Sequence, residues 1–291
     1  MCCSSPTAEV VAPLGALVAD PGSAAALALA GTAYLAGLHR WRRASGHRVV
    51  RPAAVCSFVA GLLTAAVAMA SPLDTLEATS LSAHMVQHVV LLSIAGPLLA
   101  LGTPIPTLLW ALPPAARSRA LTAGRRMARQ HDRHLPAWVV GSLAVEAAVM
   151  WAWHVPDAYE AAVRNGAVHA AEHTCFLLSS TVAWWSIANG RRSRRGAAAI
   201  AALIGSLPGM ALGSAMVLAP NPWYPIYVTT SRAAALSDQE VAGVIMWAFG
   251  GMAAVIVGAG LFASWLRAAG SARRDAEYRI PPLPVAVGGR R

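Results

Sequence analysis

Long apolar stretches alternate with short polar ones along most of this chain. Seven of them, near residues 22–41, 53–71, 84–103, 136–153, 168–188, 197–218 and 239–266, approach the roughly 20 residues that a helix needs to cross a bilayer. The pattern predicts an all-α polytopic membrane protein, a bundle of seven transmembrane helices. The first stretch is the weakest, being alanine-rich and carrying Thr32, Tyr34 and His39. Gly96-Pro97 inside the third predicts a kink below His88.

The polar positions that interrupt the apolar stretches are not scattered. His84 and His88 are four residues apart at the head of the third stretch, and His169 and His173 are four apart at the head of the fifth. Residues at that spacing share one helix face, so each pair points two imidazoles the same way. His154 closes the fourth stretch, beside Trp151 and Trp153. Ionisable side chains within a span are expensive and mark candidate sites.

Composition agrees with the pattern. Hydrophobic residues make up 56% of the chain, charged residues 12%, and mean hydropathy is +0.51. A soluble domain would carry about 25% charged residues. All of the basic charge is arginine, and all but Arg164 and Arg232 fall in four segments: after the first stretch, between the third and fourth, between the fifth and sixth, and from Arg267 onward. The positive-inside rule puts those segments in the cytoplasm, with the amino terminus outside the membrane and the carboxyl terminus inside. A net charge of +10 therefore reflects insertion, and no nucleic-acid partner is expected; the lipid bilayer is the partner. Every tryptophan but Trp247 lies near a stretch end, as interfacial belts require.

The expected organisation is an extracytoplasmic tail (1–21), one seven-span domain (22–266) and a disordered cytoplasmic tail (267–291). No secretory leader pattern is expected in the first residues, which hold Glu9 and Asp20 but no arginine. Cys2, Cys3, Cys56 and Cys175 form no zinc-type framework. The stretch 219–238, with Pro220, Pro222, Pro225, Trp223, Tyr224 and Tyr227, fits a lid lying on the bundle.

With this topology His84, His88, His154, His169 and His173 reach one depth, on the outer side, as candidate metal ligands. Glu172 is placed to orient an imidazole from behind. Glu146, Met150 and His154 form an i, i+4, i+8 stripe, with Met150 expected as packing and Glu146 as a neutral or paired group. Gln239, Gly243, Met246 and Gly250 line one side of the seventh stretch, with Asp238 and Glu240 at its mouth. Neutral imidazole suits zinc, copper, nickel and iron, and nearby thioethers without a carboxylate-rich surrounding tilt the expectation to copper.

Several short motifs carry a resemblance. Ser71-Pro72-Leu73-Asp74, His84-Met85-Val86-Gln87-His88 with Gly96-Pro97 and Gly102-Thr103-Pro104, Trp153-His154-Val155-Pro156 with Tyr159, His169-Ala170-Ala171-Glu172-His173 with Trp184-Trp185, and Asp238-Gln239 with Met246-Trp247 and Gly250-Gly251 occur in this order. In these the chain resembles the CtaG-type assembly factors of caa-type cytochrome c oxidase, a multi-span bacterial membrane family. The resemblance implies a non-enzymatic role in maturing the oxidase, with its subunits as partners and copper supply as the chemistry. It covers about residues 71–251.

Two other classes stay open. His169-Ala170-Ala171-Glu172-His173 matches the H-x-x-E-H zinc pattern. A seven-span zinc hydrolase would use Ser71, Asp74 and His84/His88 beside it, with Glu172 as general base. A haem protein would take one imidazole from each of two spans, although pairs four apart leave rings unused. A plain transporter would be expected to show repeats or paired broken helices, and neither is apparent.

Overall fold

The computed structural model describes residues 21–45, 50–70, 76–77, 79–188 and 195–277. Among them there is no strand. The helices are α1 (Pro21–Ser45), α2 (Pro52–Ala70), α3 (Leu81–Val90, a π turn Leu91–Ala95, then Gly96–Leu101), α4 (Pro104–Leu109), α5 (Pro114–Arg133), α6 (Leu135–Trp153), α7 (Pro156–Arg164), α8 (Gly166–Ala188), α9 (Arg195–Leu218) and α10 (Arg232–Glu277). A 3-10 turn, Pro225–Tyr227, sits between α9 and α10.

Five helical stretches are long and apolar enough to cross a membrane by length and composition: Pro52–Met69, Leu81–Leu101, Leu135–Trp153, Gly196–Leu218 and Arg232–Ser271. Large apolar side chains such as Val140, Ile204 and Ile256 face outward from them, as lipid contact requires. The expected spans over α1 and α8 fall below that hydropathy, because α1 ends in arginines and α8 spends its face on His169, Glu172, His173, Ser179 and Ser180.

The break in α3 differs from a simple proline kink. The chain widens into a π turn at Leu91–Ala95, just before Gly96-Pro97. Such turns free a backbone carbonyl. Here the Ser180 hydroxyl of α8 donates to the Leu92 carbonyl at 2.6 Å. A side chain at Gly96 would collide with Ser180, so glycine is what lets α3 and α8 touch at this level.

The two ends of the bundle separate by chemistry. At one, Arg40 donates to the Ala111 carbonyl at 2.6 Å, Trp41 stacks on Trp110, and Arg117 lies over Trp110 at 4.2 Å. The α5 arginines lie along the same end. At the other end, α7 and the segment 219–231 cover the heads of α3, α8 and α10. The helix α10 continues past Arg267 to Glu277, into a segment expected to be disordered. The tail 1–20, Cys2, Cys3, Ser71 to Asp74, Arg191 to Arg194 and residues 278–291 lie outside the described residues.

Candidate metal centre

The head of α3 is fixed from two directions. Ser80 caps it by accepting from the Ala83 amide at 3.3 Å, and Asp238 of α10 accepts from the Leu81 amide at 2.6 Å. A carboxylate at a helix head also complements the positive end of the helix dipole. The head of α8 is capped by Asn165, whose side-chain oxygen accepts from the Ala167 amide at 2.9 Å. With both heads pinned and the helices in contact through Gly96 and Ser180, the i,i+4 pairs face each other.

The four paired histidines converge. Ring centroids are 4.4 Å apart for His84 and His88, and 4.0 Å for His169 and His173. Across the helices His84 lies 5.1 Å from His169, and His88 5.5 Å from His173. All four are buried.

Two carboxylates stand among them. Glu172, fully buried, points one oxygen at His84 Nε2 and the other at His88 Nε2, each at 3.5 Å. It therefore faces two of the rings at once. Glu77, from the short segment before α3, approaches His169 Nε2 at 2.7 Å and His84 Nδ1 at 3.9 Å. Glu77 was not foreseen. Its only sequence signal is an acidic residue just ahead of a histidine-bearing helix head, which is a common surface feature. The expectation that carboxylates would be scarce around the imidazoles is corrected by this pair.

The clustered groups fall into two sets, Glu77, His84, His169 and His173, and His84, His88, Glu172 and His173. Within each set the ligand atoms lie within 4.8 Å of one another. Both nitrogens of His84 and of His88, Nε2 of His173 and both oxygens of Glu172 have no hydrogen-bond partner. Leaving such a buried group unsatisfied costs about 1–3 kcal/mol, and more when it is charged. A cation at the centre would satisfy several of them together. The donor chemistry and the orphaned atoms fit a metal ion.

His154 comes close without joining either set. Its Nδ1 is 2.7 Å from the Met150 carbonyl and its Nε2 is 3.4 Å from Met85 Sδ. Both nitrogens are thus engaged, and the residue closes the end of α6. Met150 is buried and contributes its carbonyl, while its side chain packs in the apolar core. Glu146 is two turns further down α6. It lines a cavity of about 80 Å³ with Ser93, Trp184, Ser206 and Met246, apart from the imidazoles.

Three tyrosines roof the cluster. Tyr227 donates to the Glu77 carbonyl at 2.8 Å, and Tyr159 donates to the Tyr227 hydroxyl at 3.1 Å. Tyr224 stacks on Tyr159 and donates to the His154 carbonyl at 2.9 Å. Burial raises the pKa of all three, so their hydroxyls stay protonated donors at any working pH. Glu160 of α7 accepts from the Ile226 amide at 3.1 Å, and Gln239 of α10 accepts from the Trp223 amide at 2.6 Å. The lid expected over 219–238 is therefore tied down from both sides.

An all-helical membrane protein with a roofed histidine and glutamate cluster at one end is the class these features define. The chain belongs to the cytochrome c oxidase caa3 assembly factor family (Caa3_CtaG), whose model matches residues 32–268. No curated protein and no solved structure matches it.

Proposed function

We propose that this assembly factor binds copper in the histidine and glutamate cluster and passes it to an oxidase subunit at the outer face of the bacterial plasma membrane. The observation that carries the reading is the set of buried imidazole and carboxylate atoms without hydrogen-bond partners that converge from α3 and α8, with Glu77 beside them. Membership of an oxidase assembly family supplies the recipient. The protein acts as a carrier and not as an enzyme.

The proposal includes seven spans, with α1 and α8 crossing beside the five more apolar stretches. Support comes from packing: α8 lies between α3 and α6, and α1 against α2 and α4, so each shares the depth of its neighbours. The arginine-rich end would face the cytoplasm and the histidine end the exterior. Imidazole with carboxylate suits a divalent ion, copper(II) or zinc(II), better than an all-thioether site would. The tight packing of the rings favours an ion over the flat plane of a haem. The approach of Glu172 to two imidazoles supports a ligand role over that of a hydrolase base, and Ser71 and Asp74 lie outside the described residues.

The test compares purified wild type with the His84→Ala/His88→Ala double variant by metal analysis, and oxidase assembly in cells at matched protein level. Copper in the wild type, its loss in the variant and a parallel fall in assembled oxidase are expected. Oxidase with a full copper complement in cells carrying the variant would defeat the proposal, and zinc in place of copper would favour the hydrolase reading.

A further inference from the structure

We infer that the cluster is built for two metal ions at once, with His84 as the ligand between them. This rests on the metal-binding reading above and adds to it the number of ions and the division of ligands.

The geometry of His84 carries the argument. Its ring is wholly buried, and neither nitrogen has a hydrogen-bond partner. The two nitrogens face different carboxylates: Nδ1 looks toward Glu77 at 3.9 Å and Nε2 toward Glu172 at 3.5 Å. Each carboxylate has its own further imidazole, His169 Nε2 at 2.7 Å from Glu77 and His88 Nε2 at 3.5 Å from Glu172. The cluster thus has two poles that meet in one ring.

A single ion leaves this arrangement half used. Held by His84 Nε2, His88, Glu172 and His173, it would leave an Nδ1–H facing Glu77 at a distance too long for a hydrogen bond. It would also leave Glu77 a buried carboxylate beside His169. Two ions resolve both. One takes Glu77, His84 Nδ1 and His169; the other takes Glu172, His84 Nε2 and His88. His173, whose Nε2 is the nitrogen without a partner, completes one of the two sets. Each ion then has three or four protein ligands, and a position left open is what a site needs if its ion is to move on. When both nitrogens of His84 are engaged, the ring gives up its remaining proton to solvent, and no electron is transferred. Two carboxylates supply the negative charge that an apolar bundle otherwise lacks.

The elements that deliver the two poles differ, which makes them separable. Glu172, His88 and His84 stand on the pinned helices α3 and α8. Glu77 stands on a short segment held to the roof through the Tyr227 hydroxyl on its own carbonyl. Glu77→Gln removes the charge and one ligand oxygen and leaves that backbone bond untouched.

The full chain, purified in detergent and stripped by chelator, is dialysed against copper(II) and separately against zinc(II), and bound metal per chain is measured. Two ions are expected in the wild type, one in Glu77→Gln and one in Glu172→Gln, for both metals. The copper-loaded wild type should give less electron paramagnetic signal than its copper content, through coupling across the shared ring. Glu77→Gln should give the full signal of an isolated ion. His169→Ala serves as a second variant at the Glu77 pole, and monodisperse elution with unchanged helical circular dichroism shows that each variant is folded. One ion in the wild type, or two retained in both Glu77→Gln and His169→Ala, overturns the two-ion centre while leaving a metal site standing. No bound ion in the wild type overturns the metal reading itself.

Discussion

Two helix contacts in this bundle are made by opposite means. Where α9 meets α10, Gly213 and Gly243 face each other, and a Cβ built on either would come within 2.5 Å of the other's carbonyl oxygen. Backbones meet directly, with a side-chain hydrogen bond between the two helices from Gln239 Nε2 to the Met216 carbonyl at 3.1 Å, and the contact serves packing. Where α3 meets α8, the contact tightens only at Gly96 and Ser180, and above it the helices are held apart by four imidazoles and a carboxylate. In an apolar bundle, dispersion and close fit stabilise the first kind of contact. The second kind leaves buried polar atoms unmatched, so it persists because other groups hold it: the caps on α3 and α8, and the tyrosine roof. A fold that spends stability in this way at one end marks that end as the working one.

The comparison breaks first at the glycines. Gly213→Leu is expected to force α9 and α10 apart, because the new side chain meets backbone and not a movable side-chain tip. Overpacking costs about 1–3 kcal/mol in well-packed cores, and a backbone clash lies at the upper end or beyond. The level of inserted protein should fall severalfold in quantitative blots, with a lower unfolding temperature. Normal abundance would show that the α9–α10 contact is dispensable.

His88→Ala with His173→Ala should behave in the opposite sense. Each ring contributes about 1 kcal/mol or less of packing within a membrane bundle, so abundance should hold. Bound metal should drop at least tenfold, because both variants delete donors that nothing nearby replaces. Added copper should restore part of the oxidase by mass action. Ligation needs neutral imidazoles, so protons compete with the metal, and retention measured across a falling pH series is expected to decline.

The legible part of this design was the part that repeats at helical spacing. Two pairs four residues apart, each opening an apolar stretch, already placed His84, His88, His169 and His173 on facing surfaces, and the arginines placed them at one end. Glu77 was illegible because it acts from an irregular segment where no periodicity applies. His154 was read at the right depth, while its contacts with the Met150 carbonyl and the Met85 thioether lay beyond what spacing shows. Glu172 was read as orienting one imidazole and approaches two, because sequence gives its helix face but not its reach. The π turn was read as a kink since Gly96-Pro97 announces a break without saying how the freed carbonyl is satisfied, and Ser180 lies far off in sequence. The hydropathy that reveals α2, α3, α6, α9 and α10 is diluted in α8 by the residues that build the site.

A smaller effect is expected at the roof. Tyr227→Phe deletes the hydroxyl that holds the Glu77 carbonyl and receives from Tyr159. Losing such a bond costs about 0.5–1.5 kcal/mol net. Abundance should be unchanged, with metal released a few times faster in chelator competition. Tyr224→Phe, whose hydroxyl bonds the His154 carbonyl instead, is expected to release metal at the wild-type rate. Equal acceleration in both would mean that the roof acts as a general cover, with no particular hold on Glu77.

The smallest effect is expected at Glu146, which puts the comparison to its sharpest use. It shares α6 with His154 and lines a cavity with Ser93, Ser206 and Met246, so it too is a polar group inside an apolar bundle. It differs from Glu172 in having no imidazole beside it, and the cavity offers too few donors to hold an ion. Glu146→Gln keeps the shape and the hydrogen-bonding capacity while removing the ionisable group. Metal content, abundance and assembled oxidase are all expected to match wild type, read by metal analysis, blot and oxidase spectrum. Normal metal content with reduced oxidase would place a second working station below the cluster. In that case the stripe of Glu146, Met150 and His154 along α6 would connect the two levels, and the division between a working end and a packing end would no longer hold.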